Sequence, residues 1–488
     1  MNDFAEARLL IDGELCEAAS GRTFGNVNPA TEEVVGQVCD GGEADMDRAI
    51  GAARRAFDET DWSTNRDLRR ATLGQLYDAL DRHREDMRPN IVAEVGCPVM
   101  LTHMVQMDSS IDDFKVETAF LDQIEWERRL GNHEFQGTVS DRLVVREPVG
   151  VVGAITAWNF PLMLNLAKLA PALAAGNTVV LKPAPDTPWS ATMIGRLIAE
   201  ETDIPPGVVN VVASGDKAAV GEVLTGDPRV DMISFTGSTG VGKRIMARGA
   251  ETVKKVFLEL GGKSATIFLD DADFEMVGFG GMIVCTHGGQ GCAITTRLLV
   301  PESKYEFAQE KLVEAFGMVP YGDPTDPGNM MGPLVNEAQR DKVLGMIQRA
   351  VDGGARCLVG GGRPAHLPKG WYVEPTLLVD VDPDSEIAQD EVFGPVLAVI
   401  PFKDDDDAVR IANNSRYGLS GAVTSGDFDR ALAVARRIRT GTVSVNGGMW
   451  FGPDAPFGGY KQSGVGREHG IAGFEEYLET KTIGIPAS

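Results

Sequence analysis

Val149-Gly150-Val151-Val152-Gly153-Ala154-Ile155, then the apolar run Leu162–Ala174, then Thr178-Val179-Val180-Leu181, decide the fold class of this 488-residue chain. Two continuous apolar strands separated by an apolar helix make one strand–helix–strand unit. Strands without polar alternation belong inside a parallel sheet covered on both faces. The rhythm continues. A helical stretch at Ala191–Glu200 precedes Val208-Val209-Asn210-Val211-Val212, and another near Ala218–Leu224 precedes Met232-Ile233-Ser234-Phe235. These units predict an α/β protein built on a doubly wound parallel sheet.

Outward from this core, residues 45–57 and 68–83 carry helical patterns, and residues 141–157 read as strand with a turn at Glu147-Pro148. A second alternating region runs from Gly262 to about Gly459, with strands at 266–269, 297–300 and 396–400. A chain of 488 residues exceeds one ordinary core, so two or more domains are expected. No apolar stretch approaches the ~20 residues of a membrane span. The start, Met1-Asn2-Asp3-Phe4-Ala5-Glu6, lacks a secretory pattern. The six cysteines (16, 39, 97, 285, 292 and 357) form no CxxC pair or metal-ligand cluster, so no metal is expected and a reducing cytoplasm is the expected setting. A net charge of −25 repels nucleic-acid phosphates. The run Asp404-Asp405-Asp406-Asp407 suits the positive end of a helix dipole.

The chemistry concentrates in short motifs. Cys292 ends Gly288-Gly289-Gln290-Gly291-Cys292, where a thiol among glycines has no packing task, although a core cysteine is the default for this residue type. Glu259 opens Glu259-Leu260-Gly261-Gly262-Lys263, where backbone can approach a ligand closely; alone it also reads as a strand-end carboxylate. Asn159, in Trp158-Asn159-Phe160-Pro161, reads as a turn asparagine or as an amide aimed at a developing oxyanion. Together these suggest a nucleophile, a base and an anion donor acting on a carbonyl.

Gly237-Ser238-Thr239-Gly240-Val241-Gly242-Lys243 follows a strand and opens a helix, so its N–H groups suit a phosphate; a plain strand-to-helix turn is the other reading. Arg244 stands where a P-loop needs a magnesium-binding hydroxyl, which disfavours a nucleotide hydrolase. Lys182-Pro183 puts a cation beyond a parallel strand, where open α/β sheets bind nucleotides. In Gln389-Asp390-Glu391-Val392-Phe393-Gly394-Pro395, an extended backbone would set Glu391 and Phe393 on one face. Pro456-Phe457-Gly458-Gly459-Tyr460-Lys461-Gln462-Ser463-Gly464 reads as a loop moulded around something.

With Asn28-Pro29-Ala30-Thr31, these motifs resemble, in order and over essentially the whole chain, the aldehyde dehydrogenase superfamily of the NAD(P)-dependent, hydrolytic type. The resemblance implies a Rossmann-type nucleotide-binding domain (1–126 and 149–260), an α/β catalytic domain (261–460) and a small β oligomerisation extension (127–148 and 474–488). It implies a homodimer or homotetramer, with a small-molecule aldehyde as partner and neither nucleic acid nor membrane. Cys292 would be the nucleophile, Glu259 the general base and Asn159 an oxyanion donor. Ile155, Thr156, Trp158, Lys182, Gly215, Gly237, Ser238, Val241, Glu391 and Phe393 would hold the cofactor, NAD. Pro185, where many NAD-preferring relatives carry glutamate, leaves NADP tolerable. Lys168 and Glu468 match positions near the water path. His287, where many relatives carry asparagine, would support the loop or tune the thiol. The substrate pocket would comprise Phe160, Met163, Leu164, Ala167, Ile294, Trp450, Phe451 and Phe457. All are apolar, so the expected substrate is a neutral aliphatic, terpenoid or aromatic aldehyde. A CoA-acylating or semialdehyde-specific member of the superfamily is the rival reading.

Overall fold

Three larger sheets and a two-stranded one, 23–28 with 33–39, organise the computed structural model, which describes residues 4–486. The first has eight strands in the order 464–465, 255–259, 232–236, 151–155, 178–182, 209–211, 9–11 and 14–16. Its five central strands are parallel, and the strands added at either end run antiparallel. Helix Pro161–Ala175 follows the central strand and is buried all round, with Pro161 in its first turn and Gly176 capping it at φ 103°. Such an element belongs in the middle of a large domain. Its polar side chains Asn165 and Lys168 therefore lie wholly inside, each with a partner.

The second sheet has seven strands in the order 356–359, 376–379, 396–402, 295–301, 264–268, 421–424 and 444–445. Only 356–359 runs against its neighbour. A separate apolar core packs each face. A third, largely exposed sheet joins 127–135, 138–148 and 478–486. The acidic run meets its expectation: Asp404 caps helix Asp405–Asn413 by accepting from the N–H of Asp407.

Two local expectations are corrected. The strand carrying Glu147-Pro148 continues through both residues, and the break comes at Val149-Gly150. Gly150 has φ 138°, and a Cβ there would lie 1.9 Å from the carboxylate of Asp231, which instead accepts from the N–H of Val151. The segment around Glu391 and Phe393 is not an extended strand. Phe393 takes φ 58°, so strand alternation does not set its direction.

Among the described residues, no helix is long and apolar enough to cross a membrane.

Candidate active site

Successive strands of the first sheet run outward from 151–155 to 178–182 and 209–211, then restart on the other side at 232–236 and 255–259. The order reverses between Ile155 and its partner Phe235. Ligands of open α/β sheets bind beyond the carboxyl ends of the strands at such a reversal. Ile155, Thr156 and Trp158 leave the first strand there, and Thr156 donates its hydroxyl to Asn165 at 2.7 Å. Gly237 and Ser238 leave the second strand. The Ser238 hydroxyl caps helix Thr239–Gly249 by accepting from the N–H of Val241. Gly215 follows strand 209–211 and donates its N–H to Asp40.

Lys182 ends its strand buried, and its ammonium reaches only the carbonyl of Pro183, at 3.4 Å. Burial lowers its pKa to about 8, against an opposing pull from Asp216. From the second half of the chain, Phe393 meets the Trp158 ring edge-on at 5.3 Å. Glu391 accepts from the N–H of Gly262 at 3.0 Å. An under-partnered ammonium, a helix N-terminus and a second carboxylate around one sheet reversal fit a dinucleotide.

Cys292 arrives on a tightened loop. His287, Gly288 and Gly289 all have positive φ (53°, 62° and 71°), and Cys292 follows, partly exposed. The Gly-Gly pair after Glu259 makes room for this loop. A Cβ on Gly262 would sit 2.7 Å from the Cys292 carbonyl, and one on Gly261 would strike the Glu391 carboxylate. Burial raises the Cys292 thiol pKa, and the carboxylates of Glu259, Glu391 and Glu468 raise it further.

Glu259 ends its strand between Thr236 and Gly464. Its carboxylate is buried, and among the described residues neither oxygen has a hydrogen-bond partner. Burial first, then the charge of Glu468, lifts its pKa well above the usual carboxylate range, while Lys168 and Arg467 oppose the shift. Asn159, also buried, donates its side-chain amide to the Gln290 carbonyl at 3.0 Å, tying it to the loop that carries Cys292.

The expected pocket residues fall into three groups. Trp450 stacks on Phe457 at 5.6 Å and meets Phe451 edge-on at 6.0 Å. Near the thiol, a Cβ on Gly291 would touch Ile294 and Phe160. Met163, Leu164 and Ala167 lie on helix Pro161–Ala175, with Leu164 and Ala167 buried and Met163 partly so.

The apolar description of this region needs one correction. His469 packs against Phe451 and Phe457 and forms a buried ion pair with Glu117. Against the effect of burial, Glu117 raises the imidazole pKa to about 9. Sequence reasoning missed His469, Glu117 and Gln106. Only His469, beside Glu468, had a neighbour that could have flagged it.

The fold and this constellation define an α/β enzyme, and the chain belongs to the aldehyde dehydrogenase family, whose profile matches residues 16–483. It is 43% identical, over 99% of both chains, to 3-succinoylsemialdehyde-pyridine dehydrogenase from a Pseudomonas species. It is similar to a variant of aldehyde dehydrogenase C from Pseudomonas syringae solved with NAD+ and octanal: TM-score 0.92, 39% identity, covering 99% of this chain and 97% of that one. It is also similar to betaine aldehyde dehydrogenase from Staphylococcus aureus solved with NAD+: TM-score 0.94, 36% identity, covering 99% and 95%.

Proposed function

We propose that this chain oxidises a neutral aldehyde with a hydrophobic aliphatic or aromatic body to its carboxylic acid, with NAD+ as cofactor. The buried, unpartnered carboxylate of Glu259 carries the hydrolytic part of this reading. A carboxylate held without donors, with a raised pKa, is suited to take a proton from water near neutral pH. The CoA-acylating route needs no such base.

Lys182, Gly237, Ser238, Glu391, Phe393 and Trp158 would hold NAD+, with Ile155, Thr156, Gly215 and Val241 shaping its groove. When bound, NAD+ supplies the hydride acceptor. Cys292 attacks the aldehyde carbon as a thiolate, its proton having passed to solvent, and the carbonyl π bond opens to the oxyanion as the carbon–sulfur bond forms. One Asn159 amide hydrogen is held by Gln290, which leaves the second for the oxyanion of the thiohemiacetal. After oxidation to the thioester, Glu259 deprotonates the attacking water, and the acid leaves as the thiol is restored. Lys168 and Glu468 form the buried pair through which the proton on Glu259 departs.

The aromatic group of Trp450, Phe451 and Phe457 supports an apolar substrate body. The octanal complex of one relative, and the pyridine in the name of another, support the same class. The three larger sheets support the expected division into nucleotide-binding, catalytic and oligomerisation units, and the exposed third sheet supports a homodimer or homotetramer. Six unpaired cysteines support a cytoplasmic setting. The test is NADH and NADPH formation across a panel of aldehydes with both cofactors. Octanal and heteroaromatic aldehydes should exceed succinic semialdehyde by at least about tenfold in kcat/KM, the size of one missing apolar contact. The reverse order would sink the substrate class.

A further inference from the structure

The proposed mechanism leaves His287 without a task, yet it is buried, sits in the left-handed region, and lies five residues before the nucleophile. Its Nε2 is 2.8 Å from the backbone carbonyl oxygen of Asn159. Gln106, from a segment far from both in sequence, donates its Nε2 to the same oxygen at 2.7 Å. A carbonyl oxygen only accepts, so the imidazole carries its proton on Nε2. Its Nδ1 is buried without a partner, and burial holds the ring neutral with a pKa of about 4. The Phe160 ring meets the imidazole edge-on at 5.2 Å.

The bonds close a circuit. The Asn159 carbonyl takes the His287 side chain, the Asn159 amide donates to the Gln290 carbonyl, and the Gln290 side chain donates to the His287 carbonyl at 3.1 Å. Gln290 is anchored in turn, accepting from the N–H of Val335 at 2.9 Å. The amide proposed to hold the oxyanion and the loop bearing the thiol are therefore parts of one hydrogen-bonded ring. A shift of about 1 Å in an oxyanion donor is enough to lose much of its effect.

Resting on the mechanism above, we infer that His287, seconded by Gln106, is a positioning residue that locks the Asn159 amide in register with Cys292. Because it donates as a neutral group, it contributes nothing to the pH dependence of turnover.

The test uses the full-length enzyme with NAD+ and its best aldehyde. His287→Leu removes the donor, His287→Gln offers another, and Gln106→Leu removes the second donor to the same oxygen. Asn159→Ala is made alone and combined with His287→Leu. His287→Leu should lower kcat by about 30- to 100-fold with KM changed less than about threefold, part of the loss expected for a missing oxyanion donor. NAD+ affinity and the rate of Cys292 alkylation by iodoacetamide should stay within about twofold. Gln106→Leu should show the same pattern more weakly, and His287→Gln should recover most of kcat. In the Asn159→Ala background, His287→Leu should cost almost nothing further, as expected for groups acting as a unit.

An undiminished kcat in both leucine variants overturns the inference, as does a loss additive with Asn159→Ala or a displaced pH–rate limb. If His287→Leu does not fold, Gln106→Leu and His287→Gln decide by the same criteria. A wild-type protein inactive on every aldehyde would instead overturn the proposed function itself.

Discussion

The ammonium of Lys168 lies 3.1 Å from a carboxylate oxygen of Glu468, and both side chains are buried beside the strand that ends in Glu259. The same ammonium stands 5.1 Å over the ring of Phe257, two residues before Glu259. The pair thus acts electrostatically on Glu259, with Glu468 raising its pKa and Lys168 lowering it.

Lys168→Met removes the lowering partner and leaves Glu468 unpaired. The acid limb of the kcat profile should move to higher pH, because Glu259 then holds its proton longer. Stability should also fall by about 3–5 kcal/mol, the usual result of orphaning one member of a buried pair. Steady-state kinetics from pH 6 to 10 and urea unfolding read the two effects. An unmoved limb would separate Lys168 from the base.

Glu259→Gln should form roughly one equivalent of NADH per active site in a burst and then stall, because the thioester is made but not hydrolysed. The substitution should also stabilise the apo protein at pH 8. The folded-state pKa of Glu259 is raised, so its contribution is fully favourable only below the unfolded carboxylate pKa and is lost as pH rises through the folded value. Glutamine avoids that loss. The gain in melting temperature at pH 8 should vanish by about pH 4, below the ordinary carboxylate value. Equal melting temperatures at both pH values would contradict the raised pKa.

Asn159→Ala should reduce kcat by about 10² to 10³, or about 3–4 kcal/mol, the usual effect of deleting one oxyanion donor. Cofactor affinity, measured by fluorescence quenching, should barely change. A loss confined to KM would assign Asn159 to binding instead.

Lys182 is charged below about pH 8 and increasingly neutral above it while its groove is empty. NAD+ affinity should therefore weaken as pH rises through that value, and Lys182→Met should bind NAD+ weakly with no such slope. Titration by calorimetry between pH 7 and 9.5 distinguishes the two. A slope retained in the methionine variant would point to another group.

Cys292, Glu259 and Asn159 stood out in the sequence because the proposed chemistry needs particular atoms. A thiol, a carboxylate and an amide among glycines announce themselves, and the glycines proved to be where Cys292 and Glu391 crowd the backbone. The parallel sheet was legible because strands buried on both faces carry no polar alternation. The supporting groups were not. Gln106 reaches Asn159 from 53 positions away, and Glu117 meets His469 across 352, so no spacing connects them. Phe393 was misjudged for a different reason. Its φ is positive and Gln339, 54 positions away, donates to its carbonyl at 2.8 Å, and local propensity reports neither.

The strand bearing Glu259 is bordered by Gly464-Val465, and Glu468 follows four residues after Gly464. The surroundings of this carboxylate are therefore completed by a segment far downstream in the chain, and Lys168 and Glu468 meet beside it across 300 positions. Its electrostatic setting is thus a property of the folded whole and of no single stretch of sequence.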